Sequence, residues 1–119
     1  MDGLIPIDVR TKKFAIRIVK LYQYLIDERH ERVMSKQVLR SGTSIGANVA
    51  EGLFGASHAD FTNKYAIALK EANETRYWLD LLKETGYLPA GESTASLIGE
   101  CTAIIAILAS SVKTAKSEK

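Results

Sequence analysis

Basic side chains are concentrated in the first strongly helical stretch of the chain, where no Asp or Glu occurs over residues 9–26. Four of them recur every three or four positions, so a helix would align them in one stripe, and a fifth lies close by. Clustered Lys and Arg side chains are the groups that contact phosphates in nucleic acids. The candidate nucleic-acid contacts are therefore Arg10, Lys12, Lys13, Arg17 and Lys20.

The overall charge does not argue for nucleic-acid binding, since the formal net charge is only +2. In a single chain, the basic stripe would be an ordinary solvated face of a helix. In a symmetric ring, the stripe would be repeated once per subunit, and phosphate contacts add up in their salt dependence. Tyr24 is the main aromatic residue on this face. We therefore expect contacts to the phosphate backbone more than recognition of bases.

The acids and histidines were compared with the pattern of dinuclear metal sites in helical bundles. Such sites use Glu-x-x-His on two helices and a further Glu on each of the other two. The two histidines, His30 and His58, fall at helix ends and neither follows a Glu at that spacing. Glu71 and Glu74 share a helix face, but only Glu51 accompanies them. We expect no metal site and no cofactor.

The same acids have cationic neighbours in the sequence, which favours a structural role. Glu51, Glu71 and Glu74 can form ion pairs with Lys70 and Arg76 in a buried or interfacial network, since buried charges need partners. General acid–base catalysis would need a cleft and a base such as His, and the pattern indicates neither. We predict that these residues support the fold.

Catalytic motifs of other kinds are also missing from the sequence. Cys101 is the single cysteine and lies among apolar residues, which is typical of a small core side chain. No phosphate-binding glycine loop or Ser-His-Asp arrangement is indicated. The pattern therefore predicts a protein that is not an enzyme. We expect it to be reduced and cytoplasmic, with no signal peptide and no apolar run of roughly 18–20 residues to span a membrane.

The elements that carry these residues are four amphipathic segments joined by short connections, and no strand alternation is present. Asp8 and Ser57 are predicted to cap helix starts, and Gly55 and Gly86 to end helices. The pattern predicts an all-α, antiparallel, up-down-up-down four-helix bundle that forms a single domain over residues 1–119. We place the helices at about residues 8–28, 31–54, 58–85 and 92–113.

The second helix carries small residues on one side. Gly42, Gly46 and Ala50 recur every fourth position, which predicts a strip where another helix can approach closely. A polar seam should run beside this strip, formed by Ser41, Ser44, Asn48 and Glu51. We interpret the helix as one side of a tight crossing in which these polar groups are satisfied.

Two segments, LRSGTSIGANVAEG at residues 39–52 and ALKEANETRYWL at residues 68–79, resemble the motifs of the small bacterial four-helix bundle proteins. These are also called 23S rRNA intervening-sequence proteins. The resemblance covers nearly the whole chain and implies an antiparallel bundle, often assembled as a cyclic pentamer. It assigns a structural signature to Ser41, Gly42, Ser44, Gly46, Asn48, Glu51, Gly52, Lys70, Glu71, Glu74 and Trp78.

The resemblance implies little about activity, although related pentameric bundles that accompany diversity-generating retroelements bind nucleic acid and a reverse transcriptase. Our first hypothesis is a non-enzymatic homo-oligomer, a pentamer by resemblance, that binds RNA or a ribonucleoprotein through the first helix. The alternative is a protein-interaction scaffold with no nucleic-acid binding. A third possibility, an enzyme that depends on a metal or small molecule, would require that ligand to co-purify. We expect no membrane partner.

Overall fold

Four helices, linked by short loops, account for most of the chain in a computed structural model that describes residues 5–118. Over this range no strand is present. The helices are α1 (Ile7–Asp27), α2 (Met34–Leu53), α3 (His58–Glu84) and α4 (Glu92–Ser117). Each packs against its neighbours in the chain, and α4 returns to pack against α1.

Residue pairs across the helix contacts show that neighbouring helices are antiparallel. Gly46 of α2 lies against Thr11 of α1, and Gly42, earlier in α2, lies against the later residue Ile18. Between α3 and α4, Cys101 contacts the carbonyl of Ala72, and His58 contacts that of Ala115. The predicted all-α four-helix bundle is therefore confirmed.

Residues spaced three and four apart on α3 face the core. This spacing is typical of the seam of an antiparallel bundle, and six of these residues are buried. They are Tyr65, Ala68, Ala72, Thr75, Leu79 and Leu82. The largest fully buried side chains on the other helices include Phe14, Ile18, Ile45 and Ile104.

The small residues of α2 serve two different crossings. A Cβ atom at Gly42 would lie 2.8 Å from Cγ1 of Ile18, and one at Gly46 would lie 3.3 Å from the carbonyl oxygen of Thr11. The close approach to α1 therefore depends on both glycines. Ala50 is exposed, so the predicted strip does not extend to it. Gly52 instead packs against the ring of Tyr65 on α3.

The start of α2 differs from the prediction because Glu31 lies outside the helix. Its carboxylate accepts hydrogen bonds from the backbone N–H groups of Val33 at 3.2 Å, Met34 at 3.1 Å and Ser35 at 2.7 Å. Burial opposes ionisation of Glu31, but these three bonds outweigh it and lower its pKa. Glu31 thus satisfies N–H groups that the first turn leaves unpaired.

Other helix ends follow simpler rules. Ser57 caps α3 as predicted, since its hydroxyl accepts a hydrogen bond from the N–H of Asp60 at 3.1 Å. Gly86 has φ of +85°, a backbone conformation suited to glycine after a helix end. The prediction that Asp8 caps α1 is wrong, because Pro6 holds the N-cap position and Asp8 lies in the first turn.

Helix α4 is longer than predicted, since it continues to Ser117 instead of ending near residue 113. Its length and composition alone would allow it to cross a membrane. The sequence analysis expected no such segment, because it considered only uninterrupted apolar runs. Core helices of bundles pass the same test, so this is weak evidence. Here α4 packs against α1 and α3.

Candidate nucleic-acid interface

Three cations of α1 lie along the edge that faces α4, and we call Lys13, Arg17 and Lys20 the basic strip. Lys13 and Lys20 are exposed, and Arg17 is half-buried. Arg17 Nη2 donates a hydrogen bond to Ser96 Oγ of α4 at 3.1 Å. A rise of about 1.5 Å per residue spreads the strip over about 10 Å of helix.

Arg10 was predicted to belong to the same stripe, but its side chain is buried, unlike those of Lys13 and Lys20. It is only 6% exposed and forms a two-pronged ion pair with Glu100 of α4. Arg10 Nε is 2.7 Å from Oε2 and Nη2 is 3.0 Å from Oε1. The charge of Arg10 is therefore compensated within the bundle. The acid comes from 90 positions away, which the local sequence cannot show.

Lys12 is exposed, but it does not border the seam between α1 and α4. Consecutive helical residues are about 100° apart, and Lys12 is on the side of Lys13 that points away from α4. A ligand bound along the seam would therefore reach Lys13 before Lys12.

A groove separates α1 from α4, the neighbouring pair that packs least extensively. Its volume is about 340 Å³, and its lining contains two cations of the basic strip but no acid. The remaining lining is largely apolar. The groove is bordered by Arg17, Lys20, Leu21, Tyr24, Leu88, Pro89, Ser93, Thr94 and Leu97.

A second depression adjoins the first along the same seam. It has a volume of about 230 Å³ and is bordered by Ile5, Phe14, Lys13, Arg17 and the Arg10–Glu100 pair. Arg17 borders both depressions, and its hydrogen bond to Ser96 crosses the seam beside them. The basic positions follow from the sequence, but the depressions do not, because their other wall comes from α4.

The signature acids of α3 form their main contacts with a residue that we had not selected. Arg40 of α2 is 3.2 Å from Glu71 Oε1 and also pairs with Glu74. Trp78 Nε1 donates to Glu74 Oε2 at 3.0 Å. The bond from Arg40, followed by that from Trp78, lowers the pKa of Glu74. Arg40 lies within the recognised motif, so its place there was a usable signal.

The predicted partners of these acids have other roles. Arg76 pairs with Asp80 on the same helix at 3.0 Å, and Glu51 pairs with Lys64 at 2.9 Å. Lys70 is exposed, and its charge helps to lower the pKa of Glu74. The acids are therefore used to connect α2 to α3, but the ion pairs differ from the predicted ones.

The polar seam of α2 is satisfied within the bundle. The hydroxyls of Ser41 and Thr75 are 2.9 Å apart at the buried crossing of α2 and α3. Asn48 Nδ2 donates to the carbonyl and the hydroxyl oxygens of Ser44, at 2.9 and 3.1 Å. These contacts support the fold and leave little free polar chemistry on this side.

Groups suited to metal binding or nucleophilic attack were also located. Within residues 5–118, no three His, Cys, Asp or Glu side chains converge on a possible metal position. Cys101 is fully buried, and burial raises the pKa of its thiol to about 12. A thiol in this state is a weak nucleophile at neutral pH.

Several large apolar side chains are exposed in the single chain. On α1, Val9, Ile16 and Val19 are 41%, 50% and 39% exposed. Leu53, the last residue of α2, is 45% exposed, and Phe54, which follows it, is 89% exposed.

Known proteins were compared with the chain as a whole. A crystal structure of a protein of unknown function from the S23 ribosomal protein family of Bacteroides thetaiotaomicron has a TM-score of 0.87 and 51% sequence identity. The match covers 91% of this chain and 99% of that one. No curated protein matches. The family described as 23S rRNA-intervening sequence protein matches residues 7–110, most of the bundle, and the chain belongs to that family.

Proposed function

We propose that this protein binds RNA, alone or in a ribonucleoprotein, through the basic strip of α1, and that it does so as a homo-oligomer without catalytic activity. The observation that carries the proposal is the strip itself. Lys13 and Lys20 are exposed, and no acid among the described residues lies within ion-pair distance of either. Their charge is therefore available to a polyanion.

The local arrangement favours phosphates over an isolated anion. Three cations follow one edge of a helix at intervals of three and four residues, so they present a line of charge. A line of charge tracks a nucleic-acid backbone, and each neutralised phosphate releases counterions. Since the formal net charge is only +2, the proposal depends on this local concentration of charge.

An oligomer would multiply the effect by presenting the strip several times. Ile16 and Val19 lie three residues apart on α1 and are both exposed, and an interface between subunits would bury them. Family resemblance implies a pentamer. In a ring, five strips would act on one RNA with high effective concentration.

A binding role agrees with the state of the reactive groups. Cys101 is buried with a raised pKa, and Glu71 and Glu74 are held by Arg40. These are the side chains that a nucleophilic or acid–base mechanism would need to use. Their contacts instead connect helices, which supports a structural role for them.

Light scattering across a size-exclusion peak, combined with absorbance at 260 nm, tests the proposal. We expect a mass of about five chains, with nucleic acid that a high-salt wash removes. The RNA-free oligomer should then bind added RNA. A monomer that binds no RNA at low salt would overturn the proposal.

A second candidate function is a scaffold for a protein partner, and the nearly complete exposure of Phe54 favours it. A partner that buries this ring would bind through apolar contacts, so its affinity should resist salt. An oligomer free of nucleic acid would favour this function. Loss of partner binding in a Phe54→Ser variant, with the oligomer intact, would support it further.

A further inference from the structure

We propose that the α1–α4 groove takes an unstacked base of single-stranded RNA while the basic strip holds the neighbouring phosphates. The inference rests on the proposed function and deepens it, because it names single strands as the preferred class of RNA. It assigns the groove, whose lining includes Tyr24, as a base site and Lys13, Arg17 and Lys20 as phosphate contacts.

The lining of the groove suits a flat, largely apolar group. Leu21, Leu88, Pro89 and Leu97 line it, and Tyr24 adds an aromatic ring. Nucleobases bind single-strand-binding proteins by stacking on such rings and apolar surfaces, with little dependence on sequence. The groove volume of about 340 Å³ leaves room for one inserted ring system and its sugar.

The charge around the groove identifies what the inserted group is attached to. Arg17 and Lys20 border it, Lys13 borders the adjoining depression, and no acid lines the main groove. The inserted group should therefore belong to an anion. A nucleotide chain supplies both parts, since it carries an apolar base beside each phosphate.

The line of cations also favours a nucleic acid over an acidic peptide as the ligand. The basic strip runs along the groove and the adjoining depression over about 10 Å. It can therefore follow an extended backbone with regularly spaced charges. Combining a cationic track with an aromatic contact is typical of single-strand binding. A duplex keeps its bases stacked inside and could use only the track.

The first test compares three RNA probes in fluorescence anisotropy titrations. These are a labelled oligouridine, an abasic oligomer with the same length and phosphate number, and a duplex of the same length. We expect the oligouridine to bind about tenfold more tightly than the abasic oligomer, as stacking predicts, and more tightly than the duplex. Equal affinity for oligouridine and abasic oligomer would overturn the base site.

The second test blocks the groove without changing the charge. Ser93→Trp places a large ring at the groove wall, on an exposed residue of the first turn of α4. The affinity ratio between oligouridine and abasic oligomer should fall towards one, while the salt dependence is retained. Ala95→Trp, at an exposed position that does not line the groove, is the matched control and should keep the ratio.

Tyr24→Leu provides an independent variant if the tryptophan disturbs the helix start. It removes the aromatic ring but keeps an apolar side chain, so the same ratio should fall. An unchanged ratio in both folded variants, Ser93→Trp and Tyr24→Leu, would contradict the inference. Circular dichroism confirms that each variant is folded.

The two proposals fail in different ways. If none of the probes binds, or if charge reversal of the basic strip changes nothing, the proposed RNA function is wrong. If binding needs the strip but ignores the base, only the groove inference is wrong. If a peptide of alternating Glu and Leu is excluded by Ser93→Trp while the base has no effect, the groove is a protein site and the inference is overturned.

Discussion

Arg10 of α1 and Glu100 of α4 form a two-pronged ion pair across the seam that also contains the groove, with Nε and Oε2 2.7 Å apart. Arg10 is almost fully buried, and the side chain of Glu100 is 25% exposed. The pair joins two helices that otherwise pack less extensively than their neighbours. It holds α4 against the edge of α1 that carries the basic strip.

Removing the carboxylate of this pair should destabilise the bundle. Glu100→Ala leaves the buried guanidinium without its α4 partner, which we expect to lower the free energy of unfolding by about 2 kcal/mol. Urea unfolding measures the change. Glu118→Ala, an exposed acid at the end of α4, should have almost no effect. Equal stability of the two variants would show that the pair contributes nothing.

The close crossing of α1 and α2 can be tested at its tightest glycines. Gly46→Leu forces a side chain towards the backbone of Thr11 and should cost about 1–3 kcal/mol or more. Gly99→Leu is the matched control, since nothing lies within 4 Å of the added Cβ and leucine favours helix. Thermal unfolding should separate the two variants clearly. A wild-type melting temperature for Gly46→Leu would contradict the crossing.

The cap formed by Glu31 should make stability depend on acid pH. Its pKa is lowered in the folded state, so its contribution is complete above the unfolded value of about 4.5 and is lost as pH falls through the lower folded value. Glu31→Gln should cost about 1 kcal/mol at pH 7. The difference between wild type and variant should stay constant down to about pH 4.5 and shrink as the pH falls further.

Urea unfolding at several pH values between neutrality and acid measures this difference directly. Other acids also titrate in the range, so the informative quantity is the gap between wild type and Glu31→Gln. Glu28→Gln, at the exposed C-cap of α1, provides a control for the loss of a nearby charge. A gap that stays constant from pH 7 into acid would show that the Glu31 carboxylate does not cap α2.

Cys101 should react with alkylating reagents only after unfolding. Its raised pKa of about 12 lowers the thiolate fraction at pH 8 by about a thousandfold relative to an ordinary thiol, and burial restricts access further. Mass spectrometry after iodoacetamide treatment, with and without urea, gives the two rates. Similar rates in both conditions would mean that α4 does not bury the thiol.

The fold was largely predictable because its information is local. The buried residues of α3 follow helical spacing of three and four, and Ser57 and Gly86 mark helix ends by well-known conformational preferences. The start of α2 was predicted wrongly because the group that accepts its free N–H hydrogen bonds does not follow an ordinary capping pattern. Glu31 caps α2 from outside the helix, whereas an argument from local propensity places Glu31 inside the helix.

The candidate interface was predictable only in part, since one of its two walls comes from a distant segment. The basic positions of α1 follow from helical spacing, but the burial of Arg10 depends on Glu100 in α4. The groove likewise needs Leu97 and Ser93 beside α1. Helical periodicity identifies the basic face of α1 but does not identify the residues of α4 that lie beside it.

The salt dependence of binding tests most directly whether Lys13, Arg17 and Lys20 bind RNA. Affinity for a labelled oligouridine should be measured from about 50 to 200 mM salt for wild type and for the triple reversal of these residues to Glu. The matched control reverses Lys36, Lys83 and Lys113, exposed residues on the other helices, and so changes the net charge equally. We predict that wild type and control bind with a steep salt dependence, while reversal of the strip lowers affinity by at least about 100-fold at low salt. Equal losses in the two triple variants would mean that only net charge matters and would contradict the assignment of the interface to α1.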